Sequence, residues 1–240
     1  MKIPKIVIPN AITSVAVLTG YLAIMFSLNG DYVLGAWLIV LIALLDSLDG
    51  RVARVLNVTS DFGAQLDSLA DVLNFGVALS LLYYFTFFSA WGVPGMILSF
   101  LPTLFSAYRL ARFNVTNEDC TQKPAYFTGL PTTVSALLLA SFILFADAAG
   151  FETIPAFVPV VLVLLTSLLM VSEVPYASNG TLMAGITAEN RKKLIVVLLL
   201  GSLVLMPARA VFVWITLFVL FGLLRSMLTT VSELREREAN

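Results

Sequence analysis

The sequence predicts an all-α integral membrane protein of about eight transmembrane helices, six forming a core and two following them, with both termini cytoplasmic. Three observations carry that reading. Apolar residues make up 59% of the chain and charged residues only 12%, against about a quarter charged in an ordinary soluble domain. The apolar residues gather in runs long enough to cross a bilayer, for which about 20 residues suffice. The basic residues are spread unevenly about those runs, as membrane insertion requires.

The runs fall at 11–29, 32–50, 63–90, 93–112, 130–149, 154–172, 192–207 and 208–228. The start, Met1-Lys2-Ile3-Pro4-Lys5, resembles a secretory leader, but the apolar run continues to Leu28 without a small-residue cleavage site, so it reads as a retained first span. The third run exceeds a bilayer crossing, which puts its first two turns in a polar site region. Between the last two runs stands Met206-Pro207-Ala208-Arg209, where proline favours a tight hairpin or a kink. With this count, Lys2, Lys5, Arg51, Arg54, Arg109, Arg112, Lys123, Arg191, Lys192, Lys193, Arg225, Arg235 and Arg237 face the cytoplasm and only Arg209 faces out, so 13 of the 14 basic residues obey the positive-inside rule. Merging the last two runs would put three arginines outside. The chain divides into a membrane domain at 1–180, a C-terminal helix pair at 181–228 and a charged cytoplasmic tail at 229–240. Two longer polar loops, Asn114 to Gly129 and Ser172 to Lys193, lie on the cytoplasmic side.

The formal net charge of -1 gives no sign of nucleic-acid binding. No nucleotide-binding glycine loop or internal repeat is visible. The chain has no histidine, so proton transfer near neutral pH falls to a carboxylate, a lysine, a tyrosine or the single cysteine. Cys120 has no partner for an intramolecular disulfide and reads as an incidental loop thiol.

Membrane packing does not explain the stretch from Asp46 to Asp71, DSLDGRVARVLNVTSDFGAQLDSLAD. Asp46 and Asp49 are three apart, Asp67 and Asp71 four apart, so each pair shares a helix face. The two spans are consecutive and antiparallel, so their aspartate-bearing ends lie at one depth. An aspartate deep in a bilayer costs about 2.5–3.5 kcal/mol, and four converging carboxylates repel one another strongly at low dielectric. Such a cluster persists when something positive fills it. Hard divalent cations are the natural filler, since no histidine is present to favour zinc. Two of them would also neutralise a diphosphate. Arg54 is suited to gripping phosphate, and Gly50 and Gly63 would let a bulky ligand approach the backbone. Taken alone, each glycine is equally well explained as helix-end punctuation. Asp61 lies off the spacing and reads as a loop or helix-capping residue.

The pattern Asp-x2-Asp-Gly-x2-Ala-Arg-x8-Gly-x3-Asp-x3-Asp resembles the signature of the CDP-alcohol phosphotransferases at every one of its eight defined positions. The resemblance implies that family's helical bundle. It implies Asp46, Asp49, Asp67 and Asp71 as ligands of two divalent metal ions (Mg2+ or Mn2+, with Ca2+ possible), and Asp71 as the general base for an acceptor hydroxyl. It implies a CDP-lipid pocket of Asn10, Thr13, Asp49, Gly50, Ala53, Arg54, Ser60 and Gly63. It also implies a homodimer embedded among membrane lipids, with its active site on the cytoplasmic side of the cell (plasma) membrane.

YRLARFNV (Tyr108 to Val115), YFTGLPTT (Tyr126 to Thr133) and LMVSEVPYAS (Leu169 to Ser178) are similar to the phosphatidylserine synthase branch of that family. This implies transfer of the phosphatidyl group of CDP-diacylglycerol, or of its archaeal ether analogue, to L-serine, with release of CMP. Serine carries a carboxylate, for which Arg109 and Arg112 are candidate partners, with Asn114 and Thr128 as polar contacts. The same arginines could simply snorkel to lipid headgroups. Two alternatives stay open. Another alcohol, such as glycerol 3-phosphate, inositol phosphate or choline, could be the acceptor, or the carboxylates could carry cations across the membrane.

Overall fold

The computed structural model describes residues 5–58, 60–117, 126–177, 201–202 and 205–238. Cys120, Lys123 and most of the seventh predicted run lie outside them. The described chain is helical apart from one short ribbon. Helix α1 (Val7–Leu28) carries Pro9 in its first turn, where a missing N–H leaves no bond unmade. Asn10 and Thr13 stand within this first helix.

Helix α2 (Tyr32–Leu56) runs six residues past the predicted end at 50, carrying Asp46, Asp49 and Arg54 on one continuous rod. It stops at Asn57, whose φ of 51° is left-handed, and the Val58 amide folds back onto the Ala53 carbonyl at 3.0 Å. Helix α3 (Asp61–Asp71) starts at once, capped by Ser60, whose hydroxyl accepts the Gly63 amide at 3.0 Å. The cap is thus Ser60, and Asp61 is the first helical residue. The connection between the aspartate pairs is therefore mostly helical.

From Asp61 to Trp91 the chain forms one rod of changing pitch. Helix α3 passes into a π-helical turn at Val72–Ala78, then α4 (Leu79–Tyr83), a second π turn at Tyr84–Phe88 and a 3-10 turn at Ser89–Trp91. The first π turn begins directly after Asp71, a placement common near functional sites. Helix α5 (Val93–Asn117), with Pro102 inside it, continues beyond the predicted 112. Helices α6 (Thr132–Ala149) and α7 (Phe157–Val171) follow. Helix α8 (Pro207–Glu238) begins on the proline flagged in the sequence and runs unbroken for 32 residues.

Five of the described helical rods are long and apolar enough to cross a membrane: Val7–Leu28, Tyr32–Leu56, Asp61–Trp91, Thr132–Ala149 and Pro207–Ser226. Large apolar side chains such as Leu18, Leu44, Ile97 and Leu168 point outward, as a lipid solvent allows. Between the helices the packing uses small residues: Ala16, Ala23, Ala36, Ala43 and Ala78 are all buried. In lipid, close backbone approach rather than apolar burial drives helix association. Polar ties add to it: Thr103 donates to Ser80 at 2.8 Å, and the buried Tyr83 hydroxyl donates to the Leu139 carbonyl at 3.1 Å.

The two polar loops, read in the sequence as irregular, pair with each other. Strand β1 (Tyr126–Thr128) runs antiparallel to β2 (Pro175–Ala177), with Phe127 opposite Tyr176. Beyond β1, Gly129 adopts a φ of +79°, and its amide donates to the Val174 carbonyl at 2.9 Å. The Leu130 amide donates to the Leu169 carbonyl at 2.9 Å. Any side chain at Gly129 would strike the Met170 carbonyl oxygen. The fully buried Tyr176 then lies against Gly222 and stacks on Phe218 of α8, ring centres 6.3 Å apart.

Candidate active site

The reversal at 57–60 sets the ends of α2 and α3 side by side, and the four aspartates converge there. Single carboxylate oxygens of Asp46, Asp49 and Asp67 all lie within 4.8 Å of one another. A Mg2+, Mn2+ or Ca2+ ion bonded to oxygens at about 2.0–2.6 Å spans about 4–5 Å between opposite ligands, so the trio fits one such ion. The donors are all hard oxygens, which suits the same class of metal. Asp71, one turn beyond Asp67, lies within electrostatic reach of the other three carboxylates and of the Arg109 guanidinium.

On the α1 side of the trio opens a cleft of about 310 Å³. Helix α1 contributes Asn10 and Thr13 to its wall, and α2 contributes Asp49, Gly50, Ala53 and Arg54. Ser60 and Gly63 close its far end, with Asp67 at the edge. All eight residues the sequence grouped around a CDP moiety therefore line one cavity. The Thr13 hydroxyl donates to Asp49 Oδ2 at 2.7 Å, fixing a carboxylate that is only 5% exposed. A Cβ on Gly63 would come within 3.3 Å of Asn10 Oδ1 and 3.1 Å of Ser60 Oγ, so glycine keeps this corner of the cleft wide.

On the opposite side stand α5 and the start of α6. Arg109 donates through one terminal nitrogen to Thr132 Oγ1 at 2.9 Å. Its Nε is buried and has no hydrogen-bond partner among the described residues. The other three residues assigned to the acceptor are placed differently. Arg112 reaches the Val171 carbonyl at 3.4 Å, at the end of α7. Asn114 pairs with Ser68 of α3, its amide nitrogen 3.1 Å from the hydroxyl. Thr128 stands in β1, opposite Pro175.

Sequence reasoning missed Thr132 as the partner of Arg109 and Ser68 as the partner of Asn114. The only signal for Thr132 was the Pro-Thr-Thr that closes YFTGLPTT, which does not tell which hydroxyl turns toward the arginine. The site thus has two walls. Asp49 and Asp67 face the cleft, while Asp71 lies within electrostatic reach of Arg109.

Comparison with known proteins agrees with this arrangement. The family profile for CDP-alcohol phosphatidyltransferase matches residues 6–174. A CDP-diacylglycerol–serine O-phosphatidyltransferase of Helicobacter pylori is 36% identical over 226 residues, covering 92% of both chains. One of the same name from Methanocaldococcus jannaschii is 37% identical over 171 residues, 71% of this chain and 74% of the relative. An archaetidylserine synthase of Methanothermobacter thermautotrophicus is 35% identical over 175 residues, 71% and 70% of the two chains. With the aspartate signature, the cleft and the profile in agreement, the chain belongs to the CDP-alcohol phosphatidyltransferase family.

Proposed function

We propose that this protein is a CDP-diacylglycerol–serine O-phosphatidyltransferase, which moves a phosphatidyl group onto the hydroxyl of L-serine and releases CMP. The observation that carries the reading is the trio of carboxylates within 4.8 Å, set between a nucleotide-sized cleft and a buried arginine. The names of the relatives support serine as acceptor. Membership in a transferase family sets cation transport aside.

The cleft residues would seat the CDP, with Arg54 available to its phosphates and Asn10 to the nucleotide. Asp71 would take the proton from the serine hydroxyl. That oxygen then attacks the lipid-side phosphorus, a new P–O bond forms, and the P–O bond to CMP breaks. Divalent cations held by Asp46, Asp49, Asp67 and Asp71 would polarise the phosphoryl oxygens and offset the charge that moves onto CMP. The rest of the rate enhancement would come from positioning both substrates in line. Arg109, with one terminal nitrogen on Thr132 and its Nε unpartnered among the described residues, would offer an Nε–Nη edge to the serine carboxylate, a bidentate geometry. Arg112, Asn114 and Thr128 would frame the approach.

The eight-span topology with both termini cytoplasmic belongs to the same proposal. So do the domain divisions at 180 and 228, a homodimer, and an active site at the cytoplasmic face of the plasma membrane. The charge asymmetry of the sequence supports the orientation.

The test is CMP release by purified protein from CDP-diacylglycerol and from CDP-archaeol. L-serine, glycerol 3-phosphate, inositol phosphate and choline would be offered in turn. Serine should give the dominant rate, and release with serine no faster than with water would overturn the assignment.

A further inference from the structure

The first turn of α6 meets Arg109 from a fixed frame. The Gly129 and Leu130 amides clasp the end of α7 through bonds to the Val174 and Leu169 carbonyls, both at 2.9 Å. Farther along α6, the Leu139 carbonyl accepts the buried Tyr83 hydroxyl. The Thr132 hydroxyl is thereby presented to a charged group: only 2% exposed, Thr132 accepts from Arg109 at 2.9 Å.

We propose that Thr132 is a positioning residue that aims Arg109 at the acceptor alcohol. The proposal rests on the transferase reading given above. Its physical basis is that a long guanidinium side chain keeps much rotameric freedom unless a bond spends it.

The test uses full-length protein in detergent and compares Thr132→Val with Thr132→Ser. Valine keeps the volume and removes the hydroxyl, and serine restores it. Thr132→Val should raise KM for serine about tenfold, the effect of losing one hydrogen bond to a charged group, with KM for CDP-diacylglycerol within about twofold. Thr132→Ser should recover the serine KM. A valine variant that stays monodisperse with serine KM unchanged would overturn the inference. So would a uniform loss in both KM values, in kcat and in thermal stability that serine fails to rescue, because that marks a merely structural role. Failure of the underlying reading looks different: the unaltered protein would release no CMP with any alcohol.

Discussion

The Thr13 hydroxyl donates a 2.7 Å hydrogen bond to Oδ2 of Asp49, joining residues 36 positions apart across the interface of α1 and α2. The bond ties the outer wall of the cleft to the carboxylate cluster. A hydrogen bond to a charged group contributes about 1.5–3 kcal/mol. Thr13→Val should therefore raise KM for CDP-diacylglycerol about tenfold or more. Thr13→Ser should restore most of it, and KM for serine should barely move in either variant. Steady-state kinetics with each substrate varied in turn checks this.

Asp71→Asn keeps the shape of the side chain and removes its capacity as a base. The expected loss in kcat is about 10²–10⁴-fold, the usual contribution of general acid–base catalysis. Binding of CDP-diacylglycerol, measured by calorimetry, should fall far less than turnover, since three of the four cation ligands remain. Substantial retained turnover would refute the assignment of Asp71 as the base.

Removing divalent cations with a chelator should abolish CMP release, and Mg2+ or Mn2+ should restore it. A saturating ion should also raise the melting temperature, because a ligand at 100 times its Kd adds about 2.7 kcal/mol to the stability of the state it binds. Asp46→Asn and Asp49→Asn should each blunt that thermal shift, which is measured without substrate.

Gly63 stands where a Cβ would come within 3.3 Å of Asn10 Oδ1. Gly63→Leu should fill this corner of the cleft and raise KM for CDP-diacylglycerol at least about tenfold, while Gly63→Ala has a smaller effect of the same sign. Overpacking of this kind costs about 1–3 kcal/mol. Serine KM is the internal control and should stay put.

Gly222 carries the ring of Tyr176, and a methyl group there would overlap it. Gly222→Ala should lower the melting temperature in detergent, in keeping with a cost of about 1–3 kcal/mol. Adding Tyr176→Leu should recover part of the loss, since the smaller side chain leaves room for the methyl group.

Much of this site was legible because its chemistry is expressed in local spacing. Pairs three and four apart on a helix must share a face whatever surrounds them, so spacing alone places Asp46 with Asp49 and Asp67 with Asp71. Six of the eight cleft residues lie within a family signature that spans only two helices and one turn, while Asn10 and Thr13 stand apart from it on α1. What stayed hidden depends on contacts distant in sequence. The ribbon of Tyr126–Thr128 with Pro175–Ala177 joins segments about 50 residues apart, and no local preference announces it. Nor could spacing show that Arg109 and Arg112, three apart, engage Thr132 and the Val171 carbonyl respectively. Helix ends were also misjudged where polar residues continue a helix beyond its apolar run, as Arg51 to Leu56 do at the end of α2.

The two-walled layout has an evolutionary consequence. On the proposed reading, the wall built by α1, α2 and the start of α3 would hold the part of the substrate common to every reaction of this chemistry, and a substitution there would threaten all of them at once. The wall built by α5 and the first turn of α6 would then touch only what varies from one reaction to the next. Lineages could therefore drift from one headgroup to another by changing a few side chains around Arg109, with the inherited nucleotide seat left intact.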